Sequence, residues 1–298
     1  MHQLDAVLEQ LQTRLGPLEG EPRPLSGGIT NRNFRVRLGG GEYVVRLPGE
    51  RSSLLGIDRS AERLAGEAAA ALGIGPPVFE GAGGCLVTEF IEGGPVEAGE
   101  PAQRAPELGR ALRAFHDCAV QLPVDFSVVG LLEQYAATVH AGGGELPGDY
   151  ATARSVAARI TAALGGVSAR PCHNDLLAAN IIRSEHEGRL MIVDWEYAGM
   201  GDPRFDLGNL AVNNDFGDAD EERLLLAYHG SEPDDAMRAS VKLMRVLSDA
   251  REAAWGVVQS VLSELDFDFD GYAREHFERL SSAAAAPDFE EWLAAAGG

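Results

Sequence analysis

The sequence predicts an α+β fold in two lobes, a small N-terminal antiparallel sheet with one helix followed by a mainly helical C-terminal part. Three observations carry this. β-prone runs dominate before residue 92, Glu92-Gly93-Gly94-Pro95 then breaks the chain, and apolar residues recur at helical spacing through most of the remainder. The break predicts a hinge, with lobes at residues 1–92 and 93–298.

Leu4, Val7, Leu8, Leu11 and Leu15 fall on one helical face, and Gly16-Pro17 ends the pattern. Residues 34–38 and 43–47 are β-prone and joined by Gly39-Gly40-Gly41, which predicts a hairpin. Asp58 is placed to cap a helix running to about Leu72, with Ala61, Leu64, Ala65 and Ala68 on one side. Residues 73–77 stop that helix, and residues 78–91 read as two further strands around a Gly-rich turn. Beyond the hinge, Leu108, Leu112, Phe115 and Ala119 mark a helix, residues 151–164 form an Ala-rich one, and helical segments follow near 206–213, 220–229 and 238–263. Only residues 180–183 and 189–194 there read as extended. Residues 142–144 and 283–286 read as loop or linker, and no internal repeat is evident.

A chain of 298 residues with formal charge −21 can bury a substantial core and is a poor match for nucleic acid or an anionic membrane. Cationic ligands suit it better. Neither a basic-then-apolar leader nor an apolar run of membrane-spanning length is evident, so cytoplasm is the expected location. Cys85, Cys118 and Cys172 are odd in number and lack metal-ligand spacing, which predicts reduced core or near-core thiols. A homo-oligomer is compatible with the sequence but not indicated by it. Lys242 is the only lysine, so cations facing bound phosphate are expected to be arginines.

The chemistry concentrates in His173-Asn174-Asp175-Leu176-Leu177-Ala178-Ala179-Asn180, followed fourteen residues later by Asp194-Trp195-Glu196. In kinases, an Asp on a loop accepts the proton of the acceptor hydroxyl, an Asn five residues on binds one Mg²⁺, and a second Asp after the next strand binds another. Asp175, Asn180 and Asp194 follow that order and spacing. The transferred phosphoryl group passes through a loose, highly charged state, so catalysis is mostly positioning and charge neutralisation. Hard Mg²⁺ prefers oxygen donors, which the Asp194 carboxylate and the Asn180 amide supply. Asp175 is the expected catalytic base, with orientation of the hydroxyl its larger contribution. His173 is read as architectural, Asp206 as support for the loop, Asp202 as a turn residue and His116 as a capping or packing residue. The two-lobed plan with this motif is protein-kinase-like, with ATP expected between the lobes.

With these residues assembled, the chain resembles the choline/ethanolamine kinase family, within the larger aminoglycoside phosphotransferase-like group. The resemblance runs from about residue 25 to about residue 280. It rests on residues 25–33, Ile57-Asp58-Arg59-Ser60-Ala61-Glu62, residues 173–180, Val193-Asp194-Trp195-Glu196-Tyr197 and Trp255-Gly256-Val257-Val258-Gln259. It implies ATP and Mg²⁺ as cofactors and a small alcohol as acceptor, with residues 1–92 binding the nucleotide and residues 93–298 carrying catalysis and the acceptor. Ser26, Gly27, Gly28, Thr30 and Asn31 would cover the phosphates, where glycine lets backbone N–H groups approach oxygen. Arg46 sits where protein kinases carry a lysine, and Glu62 on the following helix is its expected partner, ahead of Glu67.

At the acceptor end the resemblance implies a cationic amino alcohol, choline ahead of ethanolamine. A quaternary ammonium needs aromatic faces and nearby carboxylates, whereas a primary one needs close acceptors. Tyr197 and Trp255 offer aromatic faces, and Phe267, Phe269 and Tyr272 line the pocket or pack beneath it. Glu196 either binds metal through water or lines the pocket, and Trp255 is either an acceptor contact or helix core. Glu252 stands where the family often has another tryptophan, a departure that leaves room for ethanolamine or another amine. The alternatives are an aminoglycoside or thiamine-like phosphotransferase sharing the ATP apparatus, and a nucleotide-binding protein without turnover.

Overall fold

The computed structural model describes residues 2–25, 31–49, 51–81, 84–186 and 188–297. Helix α1 (His2–Leu15) precedes strands β1 (Arg23–Leu25), β2 (Asn31–Leu38) and β3 (Gly41–Pro48). After helix α2 (Arg59–Ala71), strands β4 (Val78–Glu80) and β5 (Leu86–Glu89) complete an antiparallel sheet in the order β1-β2-β3-β5-β4. Alternation places Val36, Leu38, Val45 and Leu47 on one face, where they bury Leu4, Val7, Leu8 and Leu11 of α1. Truncating a core residue such as Leu11 to alanine costs about 2–5 kcal/mol.

The chain leaves this sheet after β5, and Gly93–Pro95, read from the sequence as part of a break, form strand β6 of a second sheet. Helices α3 (Glu100–Gln103), α4 (Ala105–His116), α5 (Val128–Ala141) and α6 (Asp149–Leu164) follow. Strands β7 (Arg170–Cys172), β8 (Ile181–Ser184), β9 (Leu190–Ile192) and β10 (Gly199–Gly201) then carry the motif residues between them. Among the described residues, β6-β8-β9 form one small sheet and β7-β10 another. Helices α7 (Pro203–Asn213), α8 (Asp218–His229), α9 (Asp235–Leu262), α10 (Phe269–Ala285) and α11 (Asp288–Ala296) complete the fold.

Two packing features position the site. The alanine face of α2 is buried with Leu112, Phe115, Leu176, Ile181 and Trp195, so small side chains bring α2 close to the second lobe. Ile192 N–H also donates to the Ile74 carbonyl at 2.7 Å, tying β9 to the turn after α2. On the other side, α9 is the central helix, packed against α5, α6, α7, α10 and α11. Gly208 on α7 permits its approach: a methyl there would overlap the Met244 side chain and the α9 backbone.

Helix α2 is capped as predicted, Asp58 accepting from the N–H groups of Ser60 and Ala61. The expected loop over residues 283–286 is corrected, because Ala283, Ala284 and Ala285 close α10. Alanine is the strongest helix former, and Ala283 and Ala284 pack against the main core, so a run of them extends a helix already started. Residues 142–144 do form a turn after α5. Helices α3, α5, α10 and α11 and the three-residue strands β1, β6, β7 and β10 are elements the sequence pattern does not single out. Cys85 and Cys172 are buried and Cys118 partly so, all three as free thiols. Among the described residues, no helix is long and apolar enough to cross a membrane.

Candidate active site

The loop between β7 and β8 is held from below by one face of α7. Asp206 accepts from the backbone N–H groups of His173 and Asn174, both at 2.7 Å, and from His116 Nε2 at 2.9 Å. One turn on, Asn209 Oδ1 accepts from Leu176 N–H at 2.6 Å while its Nδ2 donates to Ser248 Oγ of α9. Asn214 Nδ2 donates to the Leu176 carbonyl at 2.9 Å. Burial alone would raise the Asp206 pKa. The hydrogen bond and charge of His116, with His173, outweigh burial and hold its carboxyl below the usual range.

His173 joins this loop to the segment after β9. Its Nε2 lies 2.9 Å from the Val193 carbonyl, and its Nδ1 accepts from Asp175 N–H at 3.2 Å. These partners select the neutral tautomer with the proton on Nε2, and burial, the largest influence, lowers its pKa in agreement. The ring therefore sets the spacing between Asp175 and Asp194. Asn174 (φ 68°) and Asp194 (φ 64°) both adopt left-handed backbone, sparsely populated by residues other than glycine. Asn174 is kept there by Asp206 and by its own Nδ2, which donates to the Tyr197 carbonyl at 2.9 Å.

Asn180 directs its Nδ2 to Asp175, 2.8 Å from the carbonyl and 3.1 Å from Oδ2, which leaves the amide oxygen as its free acceptor. Asp175 is 8% exposed. Burial pushes its pKa up to about 7, opposed by Arg251 and reinforced by Glu252 and Asp194.

The first lobe contributes cations. Arg46 on β3 reaches Glu62 Oε1 at 2.7 Å and also contacts Asp194 Oδ1. Burial would lower its pKa, but Asp194, Glu62 and Glu196 outweigh this, so the guanidinium stays charged. Arg59 meets Glu62 Oε2, Asn31 Oδ1 and Ser52 Oγ at 2.7 Å each, and Glu196 Oε2 at 3.4 Å. Asn31 Nδ2 donates to the same Glu196 oxygen at 2.7 Å. Three carboxylates thus face two guanidiniums, an excess of one negative charge among oxygen donors. Lys242 pairs instead with Asp218 and Glu221 of α8.

Helices α9 and α10 form the other wall. Arg251 Nη1 donates to Asp175 Oδ1 at 2.9 Å and to Glu252 Oε1 at 2.5 Å, and its guanidinium carbon lies 4.4 Å from the centre of the Tyr197 ring. Glu252 Oε2 accepts from Tyr272 O–H at 2.8 Å. Trp255 Nε1 donates to Tyr197 Oη at 2.9 Å, and its ring meets Tyr272 and Phe269 edge-on at 5.6 and 5.8 Å. Tyr197 also lines a cleft of about 430 Å³ with Ile57, Asp58, Phe126 and Leu131.

The structure therefore brings Asp175, Asn180, Asp194, Arg46, Glu62, Asn31 and Glu196 into one connected set, with Tyr197, Glu252 and Trp255 adjoining it through Arg251. Ser26, Gly27, Gly28 and Thr30 lie outside the described residues. Glu67 pairs with Arg63 rather than Arg46. Asp202 caps α7, and His116 bridges Asp206 and Tyr228. Arg59, Asn209 and Arg251 are site residues that motif reading passes over. An Arg-Glu pair inside the apolar stretch of α9 is the signal that points to Arg251.

Residues 21–239 match the phosphotransferase enzyme family, APH. The chain belongs to this family. Among its relatives, protein LicA of Haemophilus influenzae is 26% identical over 196 residues, 62% of this chain and 56% of that protein. The match thus spans little more than half of that relative. A probable ethanolamine kinase of Arabidopsis thaliana is 26% identical over 288 residues, covering 83% of this chain and 75% of that protein. In structure, this phosphotransferase-family chain is similar to a choline/ethanolamine kinase family protein from Mesorhizobium loti, with a TM-score of 0.79 and 29% identity. That similarity covers 97% of this chain and 98% of the other, and the kinase-like, two-part α+β architecture is common to both.

Proposed function

We propose that the chain is an ATP- and Mg²⁺-dependent kinase for the hydroxyl of a small cationic amino alcohol, with choline the expected acceptor ahead of ethanolamine. The observation that carries this reading is the set Asp175, Asn180 and Asp194, joined through His173 and faced by the Arg46–Glu62 pair. The similarity to choline/ethanolamine kinase family proteins supports the acceptor class. The aromatic group of Trp255, Tyr272 and Phe269 supports a cation with its charge near ring faces. Residues 1–92 are proposed as the nucleotide-binding lobe, residues 93–298 as the catalytic and acceptor-binding lobe, and cytoplasm as the location.

The donor set fits magnesium. Asp194 has one oxygen beyond its contact with Arg46, Asn180 has its amide oxygen, and the surrounding charge is negative in excess. Asp194 and Asn180 would hold the ion, which supplies charge neutralisation on the nucleotide phosphates. Arg46 is the cation directed at those phosphates from the first lobe, kept in place by Glu62. Asn31 is the one described residue of the predicted phosphate loop, and its contacts with Arg59 and Glu196 tie the start of β2 to the site. Asp175 orients the acceptor hydroxyl. As the acceptor oxygen bonds to the γ-phosphorus, the bond from that phosphorus to the β–γ bridging oxygen breaks, ADP departs, and the hydroxyl proton passes to Asp175.

The test is ADP release with Mg·ATP over a panel of choline, ethanolamine, thiamine and an aminoglycoside, ranked by kcat/KM. An amino alcohol at the top supports the reading. Thiamine or the aminoglycoside at the top replaces the acceptor class, and no acceptor-dependent release with any of the four overturns it.

A further inference from the structure

Arg251 is the charge whose position motif chemistry does not explain. It is 1% exposed on the central helix, and its Nε and Nη2 have no hydrogen-bond partner among the described residues. A buried arginine with three of its five N–H donors unpaired is costly, so its retention calls for a compensating interaction. What it touches supplies one: the Asp175 carboxylate, the Glu252 carboxylate and the face of Tyr197. Two carboxylates and an aromatic face are the environment that recognises an organic cation.

We propose that Arg251 is a built-in occupant of the acceptor site that both positions Asp175 and determines head-group specificity. This rests on the reading of the acceptor as a cationic alcohol. The guanidinium closes the Tyr197 face and leaves the acceptor's ammonium the side bounded by Glu252, Trp255 and Tyr272. That side offers a carboxylate, to which a primary ammonium donates and a quaternary one cannot, so Arg251 lowers the preference for a quaternary head group relative to a site with both faces open. By holding Asp175 Oδ1 while Asn180 holds Oδ2, Arg251 also fixes the plane in which the carboxylate meets the hydroxyl. Planarity matters in both roles, since a guanidinium stacks on a ring while bonding at its edge and an ammonium does not.

Three substitutions separate the effects. Arg251→Lys keeps the charge, Arg251→Met keeps most of the volume, and Arg251→Ala removes both. Each is assayed for kcat and KM with choline and with ethanolamine, for the KM of ATP, and for calorimetric binding of tetramethylammonium as a probe that cannot be phosphorylated. Arg251→Met is expected to lose roughly tenfold to a hundredfold in kcat with little change in the KM for ATP, and Arg251→Lys to recover a substantial part. Arg251→Ala is expected to bind tetramethylammonium roughly threefold to thirtyfold more tightly and to raise the choline-to-ethanolamine ratio of kcat/KM by a similar factor. If Arg251→Ala does not fold, tighter tetramethylammonium binding by Arg251→Met, which no longer carries the competing charge, is the deciding result.

Wild-type turnover of an amino alcohol together with unchanged tetramethylammonium affinity, unchanged acceptor ratio and unchanged kcat in the variants overturns the role of Arg251 and leaves the proposed activity standing. No turnover by the wild type, with tighter tetramethylammonium binding on loss of the guanidinium, does the reverse.

Discussion

Replacing Asp206 by asparagine tests how the loop carrying Asp175 is held. The carboxylate accepts three hydrogen bonds inside the protein, from two backbone N–H groups and from His116. An amide of the same shape presents one oxygen and one NH₂, so at least one buried donor must face another donor. Each orphaned donor costs about 1–3 kcal/mol, and loss of the charge weakens the bonds that remain, giving a destabilisation of about 2–5 kcal/mol. Against a typical total of about 5–15 kcal/mol, this is large but measurable. Urea denaturation should show a lower midpoint with an unchanged slope. Because the freed N–H groups belong to His173 and Asn174, Asp175 shifts with them, and kcat should fall by roughly a hundredfold.

The pH dependence has a definite sign. The folded pKa of Asp206 is depressed, so its stabilising contribution is present above the ordinary carboxylate value near ~4 and is lost as pH falls through the folded value. Wild type and Asp206→Asn should therefore differ most near neutrality and converge in acid. An unfolding free energy for Asp206→Asn within about 0.5 kcal/mol of wild type at neutral pH, or a gap that stays constant below pH ~4, would refute this account of the loop.

Asp175→Asn should retain Mg·ATP binding but lose roughly 10²–10⁴-fold in turnover, and near-normal kcat would remove Asp175 from the base role. Asp194→Ala should weaken nucleotide binding in Mg²⁺ while changing it little in EDTA, and titration calorimetry giving superimposable isotherms with Mg²⁺ would contradict a ligand role. Arg46→Met should raise the KM for ATP while Arg46→Lys restores much of it, and equal defects in the two would point to shape rather than charge. Trp255→Phe removes the hydrogen bond to Tyr197 but keeps a ring, so the acceptor KM should rise by about fivefold with that for ATP unmoved; an unaltered acceptor KM assigns Trp255 to the core alone.

The parts of the site legible in the chain are those whose chemistry is local. Asp175 and Asn180 are separated by five positions, and the carbonyl and carboxylate of one orient the amide of the other across a single turn, so residue types and spacing suffice. The hairpin of β2 and β3 and the capped start of α2 were equally open to reading, because alternation, glycine and an Asp cap act over a few residues. Strands β7 and β10 were not. Each is three residues long, and beyond their mutual pairing β10 has only a single bridge, from Met200 to Asp125, so no periodicity announces them.

Residue type and short-range spacing alone thus determined the candidate motif of Asp175, Asn180 and Asp194, the first-lobe sheet and helix, and the acidic character of the chain. Tertiary structure alone decided which charges meet. Arg251 reaches Asp175 across 76 positions because glycine at 208 lets α7 and α9 approach closely, and Arg59 joins Asn31, Glu62 and Glu196 from three separate segments. Such pairings depend on packing between elements distant in the chain, and a buried ion pair is specified by the space around it rather than by its neighbours in sequence.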